Sequence, residues 1–161
     1  SGSGEPTLNA AFDDLIAGIR KITNIPVCII TNASLVAIPE VRAALCRADV
    51  LVPSLDAATE EVFRAIDRPV VPVKLNDVIE GLVQLRKEFR GALWLEVMLV
   101  RGVNDSLEHA RALKEVITRI NPDKVQINTP VRATSEPDVC APVAKRLQEI
   151  REILGPGTEI Y

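Results

Sequence analysis

The residues with the most distinctive chemistry stand at the start of the chain, where Glu5 follows a Ser-Gly-Ser-Gly run and precedes Pro6. A carboxylate on a short flexible loop ahead of a helix can accept hydrogen bonds from the amino group of a small ligand. Alternating Ser and Gly is also the composition of a flexible linker, and this is the competing interpretation. Residues 5–9 do not have linker composition and lead directly into an apolar-periodic segment, which favours a ligand-binding loop.

Further polar residues follow each of four apolar runs that have the length of β-strands. In parallel α/β folds, ligands bind beyond the carboxyl ends of the strands, and those ends lie at one edge of the sheet. Turn formation explains any single one of these residues, whereas the whole set predicts a ligand-binding rim. The set consists of Thr31, Asn32 and Ser34, then Ser54 and Asp56, then Arg101, Asn104 and Asp105, and finally Asn128, Thr129 and Arg132.

Glu96 is the candidate catalytic residue because of the strand face on which it lies. Alternate residues of a strand point to opposite faces, so Glu96 is predicted opposite the aliphatic Leu95 and Val97. Gln126 lies on the corresponding face of the next strand. A doubly wound sheet buries both faces and tolerates such residues poorly, whereas a barrel with a partly wet lumen accommodates them. A buried, paired structural carboxylate is the other role that the sequence allows for Glu96.

Strand-length apolar runs and helical patterns alternate along the whole chain, which predicts parallel strands linked by helical crossovers. With 161 residues, 47% of them hydrophobic, the chain can bury a sizeable core, and we predict a single domain over 1–161. Asn9, Asn76 and Ser106 are predicted helix caps, and Pro39 suits a first helical position. The predicted helices are 9–22, 39–47, 58–66, 76–90, 106–120 and 140–154, and the predicted strands are 26–31, 49–54, 93–100, 124–128 and a short one at 158–161.

The charge balance and the scarcity of histidine argue against several classes of function. The 19 Lys and Arg residues against 22 Asp and Glu give no sign of the basic stripe of a nucleic-acid binder. His109 is the only histidine and is predicted at the surface, so Ser-His-Asp and Cys-His catalysis and histidine-rich metal sites are excluded. The glycine spacings of a P-loop and of a dinucleotide fingerprint are absent, which disfavours nucleotide phosphates as ligands.

The three cysteines are widely spaced and fit neither a disulfide framework nor a zinc site. Cys28 is predicted to be a small core residue, and Cys46 and Cys140 are predicted on helices. This cysteine usage indicates a reducing, cytoplasmic setting. The longest apolar runs, 27–30 and 97–100, are far shorter than the roughly 18 residues of a spanning helix, so no membrane association is expected.

The opening segment resembles the Gly-Gly-Glu-Pro motif of radical S-adenosylmethionine (radical SAM) enzymes, with Ser3, Gly4, Glu5 and Pro6 in the motif's positions. The resemblance covers nearly the whole chain and is closest to Fe-S oxidoreductases similar to pyruvate formate-lyase activating enzymes, and more distantly to wyosine-forming tRNA enzymes. It implies an α/β fold, an incomplete parallel (β/α) barrel with helices outside, that forms the C-terminal part of a radical SAM core. Further matches follow in the family's order at 30–32, 53–56, 95–105 and 125–132.

The resemblance also implies S-adenosylmethionine as the cofactor, with its methionine amino group held by the loop of Glu5. Thr31 and Asn32 end the strand that follows this loop and belong to the same implied site. The other implied contacts are Ser54 and Asp56 to the ribose or carboxylate, Arg101 to the carboxylate, Val100 and Gly102 near the adenine, and main-chain groups near Asn128 and Thr129 on the adenine edge.

One part of the family pattern is missing, because no Cys-x-x-x-Cys-x-x-Cys loop is present and Cys28, Cys46 and Cys140 cannot supply that spacing. We therefore expect a 4Fe-4S cluster ligated by a full-length parent, no metal site in this chain, and no catalysis by the chain alone. The first β/α unit and most of the second strand of the core would be absent. The strand at 26–31 would then be an apolar edge, covered by another copy in a homodimer or by crystal contacts.

The implied activity of the parent is cleavage of S-adenosylmethionine to a 5′-deoxyadenosyl radical, which abstracts hydrogen from an unknown substrate. That substrate is a glycyl-radical protein, a small molecule or a tRNA, and the loop 130–142 is a candidate lid. Two other hypotheses stay open at this point. One is an ordinary (β/α) barrel lyase or aldolase that uses Glu96 as acid-base with Lys124 or Arg101 as its partner. The other is a non-catalytic binding module that has lost the cluster.

Overall fold

Among the residues that the structure describes, five parallel strands form one sheet in which the order of the strands is the order of the sequence. The computed structural model describes residues 4–69, 73–130 and 139–161. Because each strand is parallel to the next, every connection returns from the carboxyl edge to the amino edge, and helices make that return. This confirms the predicted incomplete (β/α) barrel. The strands are β1 (Cys28–Thr31), β2 (Val50–Pro53), β3 (Ala92–Met98), β4 (Lys124–Asn128) and β5 (Thr158–Ile160).

In the described ranges, the helices begin with a short 3-10 turn at Pro6–Leu8, and six α-helices follow it. Pro39 occupies the first turn of its helix and the Ser106 hydroxyl accepts from the His109 amide, as predicted. Asn76 is not a cap, because its helix already begins at Leu75. Asn9 accepts a hydrogen bond from the Ala11 amide in the turn before the first α-helix. The helices are α1 (Phe12–Ile22), α2 (Pro39–Leu45), α3 (Glu60–Ile66), α4 (Leu75–Glu88), α5 (Leu107–Ile120) and α6 (Ala144–Leu154).

The two faces of the sheet differ as the alternation in β3 predicts. Leu93, Leu95 and Val97 have no exposed surface and belong to the core that the helices cover. Glu96 is half-buried on the opposite, open face. β3 ends at Met98, two residues earlier than predicted, and the next two residues are buried beyond it.

The predicted placement of four residues was wrong. His109 is 7% exposed rather than at the surface, because it lies four residues before the buried Leu113 on the inner face of α5. Cys28 is exposed rather than in the core, because β1 is the edge strand and Cys28 lies on its open face. Cys46 directly follows the last residue of α2, and Cys140 is exposed in the irregular segment that precedes α6.

In the part of the chain that the structure describes, no helix is long and apolar enough to cross a membrane. The candidate lid includes residues 131–138, and the predicted site includes Ser3. Both of these lie outside the described ranges.

Candidate functional site

The carboxylate of Glu5 is fixed by four hydrogen bonds at the carboxyl end of β1. Its Oε1 accepts from the amide and hydroxyl of Thr7, at 3.1 and 2.6 Å, which caps the 3-10 turn. The same oxygen accepts from the Thr31 hydroxyl at 2.6 Å, while Oε2 accepts from the Asn32 amide at 2.7 Å. The opening loop is therefore attached to the end of the first strand.

The two carboxylate oxygens of Glu5 differ in how many further hydrogen bonds they can accept from a ligand. Three of the four donors are on Oε1, and one is on Oε2. A carboxylate offers about four lone-pair sites, two on each oxygen. Oε2 is therefore the atom at which an ammonium group could add a further hydrogen bond.

A tight turn follows β1 and explains why Thr31 and Asn32 hold Glu5 so closely. The Thr31 hydroxyl also accepts from the Ala33 amide at 3.1 Å, and the Asn32 carboxamide oxygen accepts from the Ser34 amide at 3.0 Å. Ala33 has a φ of 59°, in the left-handed region that a turn of this kind needs. Thr31 is buried and organises the turn, whereas Asn32 is exposed and is the better placed of the two to contact a ligand.

An open groove of about 840 Å³ brings together the first groups of the predicted cofactor site. Its polar end is formed by Gly4, Glu5, Pro6, Thr31, Asn32 and Ser54. Its other walls are apolar side chains of α1 and the edge of β1, among them Phe12 and Ile16. A groove of this size, with few polar groups at one end, is typical of sites for small-molecule ligands.

Asp56 lies apart from this groove and supports the end of β3. It is 8% exposed, and its Oδ1 accepts from the Met98 amide at 2.7 Å. Burial raises the pKa of Asp56 to about 7, with the charges of Asp67 and Glu96 adding to the effect and the Met98 hydrogen bond opposing it. The side chain of Asp56 therefore fixes the position of β3, and Asp56 is not one of the residues that line the groove.

Asn104 is the residue whose importance the sequence does not show. It is 1% exposed, and its Nδ2 donates to the main-chain oxygens of Asp56 and Met98, both at 2.8 Å. Its Oδ1 accepts from the Val100 amide at 2.8 Å. A polar residue in a loop after a strand was the only signal in the sequence, and turn formation would have explained it equally well.

The segment after β3 forms a turn that faces the chain ahead of α6. Gly102 has a φ of 74°, and its amide donates to the Asp105 carboxylate at 2.8 Å. The main-chain amide of Arg101 donates to the main-chain oxygen of Cys140. The side-chain Nε of Arg101 donates to the main-chain oxygen of Ala141 at 3.0 Å. Arg101 is exposed, so most of its guanidinium surface stays accessible.

The end of β4 lies beside this turn. The Leu99 amide donates to the main-chain oxygen of Asn128 at 2.9 Å, which joins the two strand ends beyond the ladder. Asn128 and Thr129 are both half-buried. Because adjacent strands are about 4.8 Å apart, the ends of β1 and β4 are separated by about 14 Å. A ligand that contacts every predicted site residue must therefore extend along the edge of the sheet.

Glu96 lies in a row of polar residues that crosses the open face of the sheet. Ser54 forms a bridge with Glu96, which is in register with Gln126, and Gln126 is in register with Glu159. The main-chain oxygen of Glu96 accepts from the Leu55 amide at 2.9 Å. The structure thus places Glu96 on the lumen side, near Ser54.

Lys124 is held between two aromatic rings and a carboxylate. Its ammonium lies 5.3 Å from the centre of the Trp94 ring, 5.1 Å from that of Tyr161 and 2.6 Å from the Glu159 carboxylate. The hydrogen bond to Glu159, with that to Tyr161, raises the pKa of Lys124. A lysine that acts as a base or forms a Schiff base needs a lowered pKa, so this environment disfavours those two roles for Lys124.

The described residues offer no site for an iron-sulfur cluster. None of the His, Cys, Asp and Glu residues in 4–69, 73–130 and 139–161 form a group of three or more that could hold a metal. Cys28, Cys46 and Cys140 are free and lie on separate elements. The donor set of the described residues therefore does not fit an iron-sulfur cluster.

Comparison with known proteins gives a family match over most of the chain. The model of the Radical SAM superfamily matches residues 1–115. The chain is 31% identical over 156 residues to a UPF0026 protein of Methanocaldococcus jannaschii, which covers 94% of this chain and 48% of that protein. It is 44% identical over 135 residues to a protein named GTPase Obg of Brachyspira hyodysenteriae, covering 84% of this chain and 20% of that one.

The chain thus spans from a fifth to about half of the length of these two relatives. Among solved structures, a domain of pyruvate-formate lyase-activating enzyme from Bacteroides vulgatus superposes with a TM-score of 0.79 at 16% identity, over 99% of this chain and 96% of that one. Streptococcus suis SuiB bound to S-adenosylmethionine superposes with a TM-score of 0.69, also at 16% identity, over 92% of this chain and 33% of that one. These likenesses show the fold, and the family model identifies the chain as a member of the radical SAM superfamily.

Proposed function

We propose that this chain binds S-adenosylmethionine along the carboxyl edge of its sheet, with the cofactor's amino group at Glu5. The observation that carries the proposal is the position of the Glu5 carboxylate. Four hydrogen bonds fix it at the polar end of the groove, and Oε2 retains accepting capacity there. An ammonium group is the complement of such a carboxylate.

In this arrangement the groups along the edge serve different parts of the cofactor. Asn32 and Ser54 line the same groove as Glu5 and would contact the methionine portion and the ribose. Arg101 would bind the carboxylate with its exposed guanidinium. The main chain around Val100, Gly102, Asn128 and Thr129 would face the adenine. Asp56 would act through the position of β3, since its carboxyl is buried against Met98.

The cluster is proposed for the longer protein rather than for these residues. When bound, a 4Fe-4S cluster supplies the electron for reductive cleavage of S-adenosylmethionine in this family. Because the described residues provide no ligand group for it, its cysteines would come from outside the 161 residues of this sequence. The proposed product is a 5′-deoxyadenosyl radical that abstracts a hydrogen atom from a substrate.

The substrate class is proposed from the open face of the sheet. Glu96, Gln126 and Glu159 lie in one row on that face, where Glu159 is paired with Lys124 and Glu96 adds a further negative charge. A face without an excess of positive charge suits a small molecule or a peptide better than the phosphates of a tRNA. A glycyl-radical protein, which presents a peptide segment, is compatible with the same surface.

Titration of the 161-residue chain with S-adenosylmethionine, followed by the amide signals in ¹⁵N-labelled NMR spectra, tests the binding proposal. We expect saturable shifts at Glu5 and Asn32, and their loss in Glu5→Gln. The control is Glu61→Gln, an exposed carboxylate in the first turn of α3. Absence of saturable shifts in the wild-type chain would contradict cofactor binding.

Iron and sulfide analysis of the longer protein, purified without oxygen, tests the catalytic part separately. We expect about four irons and four sulfides per chain, and 5′-deoxyadenosine after reduction with S-adenosylmethionine present. A protein that binds the cofactor but contains no iron and forms no 5′-deoxyadenosine would support the non-catalytic binding module instead.

A further inference from the structure

Asn104 makes hydrogen bonds to three main-chain groups that belong to two separate segments. The Asp56 oxygen lies in the loop after β2, whereas the Met98 oxygen and the Val100 amide lie at the end of β3. All three bonds are 2.8 Å long. The side chain is 1% exposed, so water does not substitute for it. Asn104 thus joins the carboxyl ends of two neighbouring strands.

A second side chain reinforces the same junction. The Nε2 of His109, from the first turn of α5, accepts from the Ala58 amide at 3.3 Å. Asn104 and His109 therefore both attach the β2–α3 loop to the segment that leads into α5. Of the two, Asn104 lies closer to the proposed site, since it contacts Asp56 and Val100 directly.

The two joined segments carry different parts of the proposed cofactor site. Ser54 and Asp56 stand on one, and Val100, Arg101 and Gly102 stand on the other. The sheet ladder alone does not fix their relative position, because regular pairing between β2 and β3 covers only Val50 with Ala92 and Leu51 with Leu93. Beyond these pairs, the segments are joined by the bridge of Ser54 to Glu96, by the Leu55 amide at the Glu96 oxygen, and by the Met98 amide at the Asp56 carboxylate. Asn104 adds two donated hydrogen bonds and one accepted hydrogen bond to this junction where the ladder has ended.

We propose that Asn104 is a positioning residue that sets the spacing between the ribose-binding and adenine-binding segments of the cofactor site. This inference rests on the proposed binding of S-adenosylmethionine. Loss of the carboxamide leaves one amide and two carbonyl groups buried without partners, and the segments must separate or admit water to satisfy them. The nucleoside part of the cofactor can then contact only one of the two segments with the correct geometry.

The test compares the affinity for S-adenosylmethionine of the wild-type chain, Asn104→Ala and Asn104→Asp by NMR titration. The Asp variant keeps the size of the side chain and the acceptor for the Val100 amide but loses both donated hydrogen bonds. It replaces the Ala variant in the comparison if the Ala variant does not fold. We expect affinity to fall about tenfold or more in either variant, because the displaced segments no longer contact the cofactor together. Leu154→Ala is the control, because it truncates a fully buried core residue far from this edge, in α6. It should melt earlier than the wild type yet bind S-adenosylmethionine with less than a twofold change.

A double-mutant cycle with Ser54→Ala separates positioning from a general loss of stability. If Asn104 positions the loop of Ser54, removing the Ser54 hydroxyl will weaken binding in the wild type but have a clearly smaller effect in the Asn104 variant that folds. Additive effects, or an unchanged affinity in a folded Asn104 variant, would overturn the inference while leaving the proposed function intact. A wild-type chain that gives no saturable shifts would overturn the proposed function, and the inference with it.

Discussion

The Thr31 hydroxyl donates a 2.6 Å hydrogen bond to the Glu5 carboxylate, across 26 residues of sequence. The same hydroxyl accepts from the Ala33 amide, so one buried side chain connects the opening loop to the turn after β1. The position of Glu5 is therefore fixed by the end of a strand together with Thr7 of its own segment.

Thr31→Val, which keeps the shape and removes the hydroxyl, tests this connection. We expect a loss of about 1–3 kcal/mol in the free energy of unfolding, since the Ala33 amide and Glu5 both lose a partner. Urea denaturation measures it. Thr118→Val is the control, because that hydroxyl is exposed and bonds only to the main chain of its own helix, and it should change stability by less than about 0.5 kcal/mol.

The raised pKa of Asp56, about 7, predicts a pH dependence of stability with a definite sign. In the unfolded chain an aspartate titrates near pH 3.9, so between about pH 4 and 7 the folded state holds a proton that the unfolded state has released. Stability is then highest below pH 4 as far as Asp56 is concerned, and it falls as the pH rises towards and through 7. Asp56→Asn keeps the acceptor for Met98 and cannot ionise.

We expect the free energy of unfolding of Asp56→Asn, relative to the wild type, to increase from pH 5 to pH 8. The difference between the two proteins isolates Asp56 from other titrating groups. Urea denaturation at four pH values measures it. A constant difference across that range would show that Asp56 is ionised in the folded chain.

The open edge of β1 predicts self-association. Ile30 is 50% exposed on that strand and Leu15 is 53% exposed on the adjoining wall of the groove. We propose a homodimer through this edge, as unpaired apolar edges favour such pairing. Light scattering should show a mass that increases with concentration, and Ile30→Lys should remain monomeric. Val143→Lys, 57% exposed ahead of α6, controls for the added charge. A wild-type chain that stays monomeric at high concentration would contradict the proposal.

Two glycines give opposite predictions for the same substitution. A Cβ at Gly91 would lie 2.3 Å from the main-chain oxygen of Asp49, so Gly91→Ala forces the backbone apart at the start of β3 and should cost about 2 kcal/mol or more. A Cβ at Gly18 meets nothing within 4 Å, and Gly18 lies inside α1. Gly18→Ala should therefore stabilise the chain by about 0.5–1 kcal/mol. Thermal unfolding of both variants measures the two effects, and equal shifts would contradict the packing at Gly91.

The sequence predicted those features that depend on local periodicity. Alternation in β3 placed Leu95 and Val97 in the core and Glu96 on the open face, and the structure has them there. The burial of His109 was missed because its neighbours in sequence are charged, which indicates an exposed position. The spacing of four residues from His109 to Leu113 indicates the opposite, because it places both residues on the inner face of α5. Cys28 was misplaced because an apolar run does not show which of its residues lie on the exposed face of the strand.

The site was predictable only as a set of strand ends. Polar residues after the strands indicated the carboxyl edge. Three of these residues, Thr31, Asn32 and Ser54, line the groove. The contact between Asp56 and Met98 spans 42 residues, and that between Asn104 and the Asp56 oxygen spans 48. No local pattern encodes such contacts, because they depend on how two connections pack beyond the last paired residues.

The sequential strand order has a consequence for how the chain assembles during synthesis. Each strand pairs only with the strands that immediately precede and follow it along the chain. A strand that leaves the ribosome therefore finds its template already in place and never has to insert between two strands that have paired. The sheet can grow one β/α unit at a time in the direction of translation, with each new strand added to the edge that the strand before it has formed.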